Sequence, residues 1–328
     1  MLEYLAYLLV GISLLVWSAD RFTDGAAAIA RNFGVSRLIV GLTIVAIGSS
    51  SPEIFVSIMD SIKTCSVDDF DCGPKIAIGN AIGSNIANVA MVLGITALVR
   101  PLIVESGTLK REIPILFAVT FMALAFLWDH QLTHLEGTIL LVSLVVYFIW
   151  LVRLGIKSRG SHDDRMLEEI VEELPDSMTN GKAIFFLIIG LLLLVVSSNI
   201  LIKGASGIAA EFGVSETVIG LTIVALGTSL PELAASIAGV LKDEHEIAIG
   251  NVIGSNIFNL LAVLGIPAFL AAPAIEDKVL TLDYPVMMGL TISMAAMAYG
   301  FKGPGKITRL EGGILLAVFI GYYAIRFF

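Results

Sequence analysis

Charge is what this chain has least of. Asp, Glu, Lys and Arg make up 15% of its 328 residues, where a soluble domain carries about a quarter. A deficit of that size excludes a soluble protein with a large core. There are only four histidines and two cysteines. None of them lies in the apolar runs that carry the polar motifs described below, so a soft-metal centre is excluded there. No run shows the short apolar–polar alternation of a membrane barrel; the runs are too long and too continuous. No basic residue precedes the first apolar run, which contains Glu3, so the N-terminus is read as a mature helix and not as a cleavable signal peptide. Net charge is −9, and no nucleic-acid partner is expected.

What is abundant is apolar length. Hydrophobic residues are 57% of the chain, with a mean hydropathy of +0.91. About 20 apolar residues suffice to cross a bilayer. Ten runs qualify, at approximately 2–19, 37–62, 76–99, 113–129, 135–153, 183–202, 216–241, 246–271, 282–301 and 309–327. The expected fold is therefore an all-α membrane protein of ten transmembrane helices in contact with membrane lipid. With the N-terminus outside, the inside connections carry 15 of the 20 basic residues, including Arg37, Arg100, Arg153 and Lys242. The positive-inside rule then selects N-out and C-out. Cys65 and Cys72 share the 62–75 loop, which this topology places on the extracytoplasmic side. They are able to bridge there or to stay as two thiols; spacing alone does not decide.

The chain also repeats itself. Residues 34–54 read GVSRLIVGLTIVAIGSSSPEI and residues 213–233 read GVSETVIGLTIVALGTSLPEL, alike at 13 of 21 positions. A second block, GNAIGSNIAN at 79–88, returns as GNVIGSNIFN at 250–259. The division that follows is 1–153 as a first five-helix repeat with its motif at 41–88, and 183–328 as a second with its motif at 220–259. Between them, 154–182 forms a cytoplasmic linker. Five crossings is an odd number, so the second copy is expected upside down, as an inverted repeat. The linker sequence HDDRMLEEIVEELPD at 162–176 reads as a solvated amphipathic helix. It lacks the spacing and turn glycine of a calcium-binding hand.

Glu53 and Glu232 carry the functional argument. Each stands inside an apolar crossing, where a carboxylate costs at least ~2.5 kcal/mol. No Lys or Arg lies near them in the motif crossings, so the missing countercharge is best supplied by a bound cation. Pro52 and Pro231 precede the two acids and are expected to open the helix, loosening carbonyls around Ala46–Gly48 and Ala225–Gly227. Ser49, Ser50 and Glu53 share a face with Ala46, as Thr228, Ser229 and Glu232 do with Ala225. In the second block Ser84 and Asn88, and likewise Ser255 and Asn259, are four apart. These are hard oxygen donors of the kind that calcium takes six to eight at a time. An intramembrane enzyme using Ser50 or Ser229 as nucleophile lacks a His or Lys base in these crossings. A passive cation channel stays open as an alternative at this point.

At these residues the chain resembles the cation/calcium exchanger superfamily, and closely its prokaryotic sodium/calcium exchangers. The family's G-T-S-x-P-E and G-S-N-x-x-N/D motifs correspond to GSSSPE at 48–53 with GSNIAN at 83–88, and to GTSLPE at 227–232 with GSNIFN at 254–259. The resemblance implies ion ligands at the Ala46 carbonyl, Ser49, Ser50, Glu53, Ser84 and Asn88. In the second half it implies the Ala225 carbonyl, Thr228, Ser229, Glu232, Ser255 and Asn259. It further implies no enzyme and no cofactor. The expected function is a secondary active antiporter, working as a monomer in the plasma (inner) membrane, that expels calcium in exchange for sodium by alternating access. Three sodium ions per calcium are implied, with crossings one and six sliding against the rest. Ser49 departs from the usual Thr but keeps the hydroxyl, and Asn259 stands where some members carry Asp, which argues against potassium transport. Proton/calcium exchange on the same fold is the alternative.

Overall fold

The computed structural model describes residues 2–62, 75–104, 106–158, 178–212, 225–299 and 305–327. Cys65, Cys72 and the acidic 162–176 segment lie outside the described residues. Helix α1 (Leu2–Phe33) is followed by α2 (Arg37–Ser49), α3 (Ser51–Ser61) and α4 (Lys75–Ile86, continued through Ala87–Leu93 to Gly94–Val99). Next come α5 (Ser106–Leu127) and α6 (His134–Ser158). The second half contains α7 (Asn180–Glu211), the single turn α8 (Ala225–Thr228), α9 (Leu230–Leu241), α10 (His245–Ala271), α11 (Val279–Ala298) and α12 (Arg309–Phe327). Among the described residues six of these helices are each long and apolar enough to cross a membrane, and a seventh span forms if α2 and α3 are taken as one bent crossing.

Two helices run well past the expected boundaries. The sequence reading stopped the first crossing at 19 and began the sixth at 183 and ended it at 202, whereas α1 and α7 have 32 residues each. At 1.5 Å per residue that is about 48 Å, more than a ~30 Å hydrocarbon core. Asp20, Arg21 and Asp24 interrupt the apolar run of α1 without ending the helix, because they have partners. Lys242 Nζ lies 2.6 Å from Asp20 Oδ1 and 2.7 Å from Asp24 Oδ1, and Arg21 lies 3.3 Å from Asp24 Oδ2. The linker is likewise shorter at both ends than 154–182, since α6 continues to Ser158 and α7 starts at Asn180.

Helices α1 and α7 pack along their lengths and run antiparallel. Gly11 lies against Leu201 and Gly25 against Leu187; Gly190 lies against Phe22 and Gly204 against Leu8. A methyl group on Gly25 would sit 2.6 Å from the Leu187 nitrogen, and one on Gly190 2.7 Å from the Phe22 nitrogen. Gly11 and Gly190 occupy equivalent places in the two copies of the repeat, as do Gly25 and Gly204. The seam is therefore made twice from the same parts. It is also peripheral. In their most apolar stretches α1 and α7 are 17% and 22% buried, against 78% for α4 and 89% for α10, so the motif-bearing helices α4 and α10 form the interior.

The two halves of the sequence interlock. Helix α2 lies on α10 so closely that Gly41 meets Gly250, and Gly254 meets Ala46 and Leu42. The C-terminal part of α10 packs on α6, where Gly137 meets Ala268 and Phe269; the C-terminal part of α4 packs on α12 through Gly94 and Gly312. No strand was expected, yet a short antiparallel pair joins the halves: β1 (Leu102–Val104) pairs with β2 (Gly305–Ile307), with Ile103 opposite Lys306. At the equivalent place Gln131 forms a bridge with Ala274.

Duplication is visible beyond the two motif blocks. Helices α6 and α12 begin with the same capping box. The Thr133 nitrogen donates to Glu136 Oε2 at 2.8 Å, and the Glu136 nitrogen donates to Thr133 Oγ1 at 3.2 Å. Thr308 and Glu311 repeat this at 2.7 and 3.3 Å. Each copy also buries one acid two residues before a proline, Glu112 before Pro114 and Asp283 before Pro285. Asp283 accepts from the Tyr322 hydroxyl at 3.0 Å and pairs with Arg326 Nε at 3.1 Å. Glu112 is fully buried, and among the described residues neither of its carboxyl oxygens has a hydrogen-bond partner. Leu151 stands where the second copy has Arg326.

This difference predicts unequal costs. Arg326→Met, which strands the Asp283 carboxylate, should cost about 3 kcal/mol and lower the thermal unfolding midpoint in detergent. Glu112→Gln should leave that midpoint within a degree or two of the parent, because no ion pair is broken.

Candidate ion-binding site

The site is built around two helix breaks. Ser50 has φ −81° and ψ 10°, and Ser229 has φ −89° and ψ 5°. Both leave the helical basin just before a Ser-Pro or Leu-Pro step. Pro52 and Pro231 then stand in the first turns of α3 and α9, where a missing N–H costs nothing. Helices α2 and α3 meet at 48°. Glu53 and Glu232 occupy those same first turns, so the positive end of each new helix offsets part of the cost of a buried carboxylate.

The loosened carbonyls are only partly free. Ala46 O accepts from the Ser50 nitrogen at 3.0 Å and from Ser49 Oγ at 3.4 Å. Ser51 Oγ donates to Gly48 O at 2.7 Å and lies 3.0 Å from Ile47 O. In the second half Leu226 O accepts from the Ser229 nitrogen at 3.1 Å, and Gly227 O accepts from Ser198 Oγ of α7 at 2.5 Å. Ala225 opens α8.

Each glutamate is held by a hydroxyl from the other half. Ser50 Oγ donates to Glu232 Oε1 at 3.0 Å, and Thr228 donates to Glu53. Behind each acid, an asparagine from the second block fixes the backbone. Asn80 Nδ2 donates to Glu53 O at 3.4 Å, and Asn251 Nδ2 donates to Glu232 O at 3.2 Å. Asn251 Oδ1 in turn accepts from Ser49 Oγ at 3.0 Å, and Asn80 Oδ1 accepts from Ser84 Oγ at 3.4 Å. Further in, Asn88 Nδ2 donates to Asn256 Oδ1 and Asn259 Nδ2 donates to Asn85 Oδ1, both at 3.1 Å. In the Asn80–Glu53 and Asn251–Glu232 pair and in the two asparagine–asparagine bonds, the second bond is the first with the copies exchanged.

Glu53, Glu232, Ser49, Ser50, Ser84, Asn88, Ser229, Ser255 and Asn259 are all buried. Among the described residues, six of their oxygens have no hydrogen-bond partner: Glu53 Oε2, Glu232 Oε2, Asn88 Oδ1, Asn259 Oδ1, Ser229 Oγ and Ser255 Oγ. Buried polar atoms left unpaired are rare and call for a partner. Here they are all hard oxygens, and two belong to carboxylates. No Lys, Arg or His among the described residues pairs with either glutamate, and those residues hold no cluster of three or more His, Cys, Asp or Glu fit for a metal. The chemistry is that of a calcium or sodium ion, not of a transition metal.

Residues 3–153 and 182–328 match the family described as sodium/calcium exchanger protein. The chain belongs to the sodium/calcium exchanger family. Relatives of this exchanger-family chain span its whole length. The antiporter candidate CaxA of Alkalimonas amylolytica is 46% identical over 100% of this chain and 99% of its own. The inner membrane protein YrbG of Escherichia coli is 38% identical, with 98% of each chain covered. A solved structure of the sodium-calcium exchanger NCX_Mj, soaked with zero Na+ and Ca2+, superposes with a TM-score of 0.81 at 32% identity and covers 99% of both chains. That protein was also solved after soaks with Na+, Ca2+ and Sr2+.

Sequence reasoning selected the two acids, the hydroxyls and the terminal asparagine of each GSNxxN. It passed over Asn80, Asn85, Asn251 and Asn256, although all four lie in the repeated blocks, and it passed over the carbonyl-capping Ser51 and Ser198. The signal for the asparagines was their own repetition.

A hydrogen bond to a charged group contributes about 1.5–3 kcal/mol. Ser50→Ala, which removes the donor to Glu232, should therefore weaken calcium binding about tenfold or more by calorimetric titration. Ser61→Ala, whose hydroxyl donates to the Ser57 carbonyl within α3, should leave the affinity unchanged.

Proposed function

We propose that this chain is a calcium/sodium antiporter of the inner membrane that expels calcium by alternating access. Its transported ions bind the twelve oxygen-bearing residues named from the motifs, Ala46 and Ala225 through their carbonyls. The observation that carries the reading is the pair of buried glutamates that, among the described residues, have one oxygen each unpartnered and no cationic side chain paired to them. Their formal charge of −2 is neutralised by one calcium or by two or more sodium ions on overlapping oxygens. Competition for those ligands couples the two fluxes, since the empty, doubly charged site resists crossing. Sodium entering in excess of calcium charge makes the cycle electrogenic.

Ten crossings as two inverted five-helix repeats, with both termini outside, is the architecture that suits this cycle. The antiparallel packing of α1 on α7, equivalent helices of the two copies, supports it. So does the recurrence of the asparagine bonds of the site with the copies exchanged. In this reading α1 and α7 move against the interior helices and the protein works as a monomer.

The test is radioactive calcium uptake into reconstituted vesicles under an imposed sodium gradient. Uptake should follow the gradient and respond to voltage, and it should fall to background in Glu53→Gln and in Glu232→Gln. Calcium uptake driven by a proton gradient and indifferent to sodium would replace sodium by protons. Flux that needs no counter-ion would make the chain a channel.

A further inference from the structure

The amide of an asparagine has two ends of opposite use to a cation. Its carbonyl oxygen binds the ion, and its NH2 group repels it. Turning the amide over exchanges the two with almost no change of shape, so an asparagine ligand works only if something fixes which end faces the ion. In this site the fixing group comes from the opposite half. Asn88 spends its NH2 on Asn256 Oδ1, and Asn259 spends its NH2 on Asn85 Oδ1, each at 3.1 Å. The oxygens that remain, Asn88 Oδ1 and Asn259 Oδ1, are buried and have no partner among the described residues. The polarity is the same in both pairs: the residue named as a ligand donates, and the other asparagine accepts. Asn85 is itself turned by a sulfur acceptor, Met287 Sδ, 3.5 Å from its Nδ2.

We infer that Asn85 and Asn256 are positioning residues for the ion site. Each accepts the amide hydrogen of the ligand asparagine on the other half and so holds that ligand's oxygen toward the cation. The inference rests on Asn88 and Asn259 being ion ligands, as proposed above. Each positioning asparagine stands three positions before the ligand of its own copy, yet each serves the ligand of the other copy. The two halves thus set each other's ligands. A carboxylate in place of a ligand amide has oxygen at both ends and needs no such device.

That last point supplies the experiment, a double-mutant cycle read by calcium titration calorimetry on the full-length protein in detergent. Asn256→Leu, which removes the acceptor, should weaken calcium binding about tenfold, the worth of one hydrogen bond of ordinary strength. Made in an Asn88→Asp background, the same Asn256→Leu change should cost less than about twofold. Equal losses in the two backgrounds would overturn the inference and leave Asn256 as a packing residue or a ligand in its own right. Asn256→Asp keeps the acceptor and should bind calcium at least as tightly as the parent; weaker binding also counts against the idea. If Asn256→Leu does not fold, the exchanged pair, Asn85→Leu with and without Asn259→Asp, gives the same reading. Unchanged affinity in Asn88→Ala would show that the ligand assignment itself fails, a result distinct from equal losses in the cycle.

Discussion

Two carboxylates are buried together without a cationic side chain to answer them, and the rest of the structure is organised around that imbalance. Each is placed in the first turn of a helix, where backbone N–H groups point toward it. Each is reached by a hydroxyl from the opposite half, and its own carbonyl is held by an asparagine. These provisions lower the cost of the charges without neutralising them. A fully satisfied pair would have no affinity left for an ion, so the unpaired oxygens of Glu53 and Glu232 are as much a part of the design as the paired ones.

The crossing bonds explain why the chain is interlocked and not divided into two bodies. A site in which each acid is held by a hydroxyl from the opposite half keeps its shape only if the halves are fixed to each other. Close backbone contact at Gly41, Gly250 and Gly254 supplies that in the interior. The β1–β2 pair and the Gln131–Ala274 bridge add backbone hydrogen bonds at the connections. The polar residues of α1 that end its apolar run are tied down by Lys242, which sits just after α9 and so joins a peripheral helix to an interior one.

Much of this was legible in the sequence where identity was high. The acids, their prolines and the serines around them could be named because a charge in an apolar run has few explanations. The helix breaks were placed correctly, but the fate of the loosened carbonyls was not, because a neighbouring serine hydroxyl such as Ser51 can satisfy one without leaving any periodic trace. The four passed-over asparagines show a second limit. Spacing says which residues share a helix face, but it does not say which neighbouring helix that face meets, and Asn85 acts on Asn259 across the molecule. The chain also winds as a wider π-type turn over Ala87–Leu93 and Asn259–Val263, directly at Asn88 and Asn259, which shifts the face that simple 3.6-residue counting assigns. The acids Glu112 and Asp283 were overlooked as a pair because little sequence identity surrounds them; their shared geometry became visible only beside Tyr322, Arg326 and the twin capping boxes.

The exposure of α1 and α7 carries a further consequence. They are longer than a bilayer is thick, and they lie outside the helices that bear the site. A helix whose apolar stretch does not match the hydrocarbon thickness must tilt, bend or deform the lipid around it, each at a modest cost per ångström of mismatch. That cost falls on the α1–α7 pair far more than on α4 and α10, which are screened from lipid by protein. Membrane thickness and stiffness therefore enter this molecule as a mechanical load on one antiparallel helix pair, which meets the glutamate-bearing segments at Lys242 and at the Ser198–Gly227 hydrogen bond.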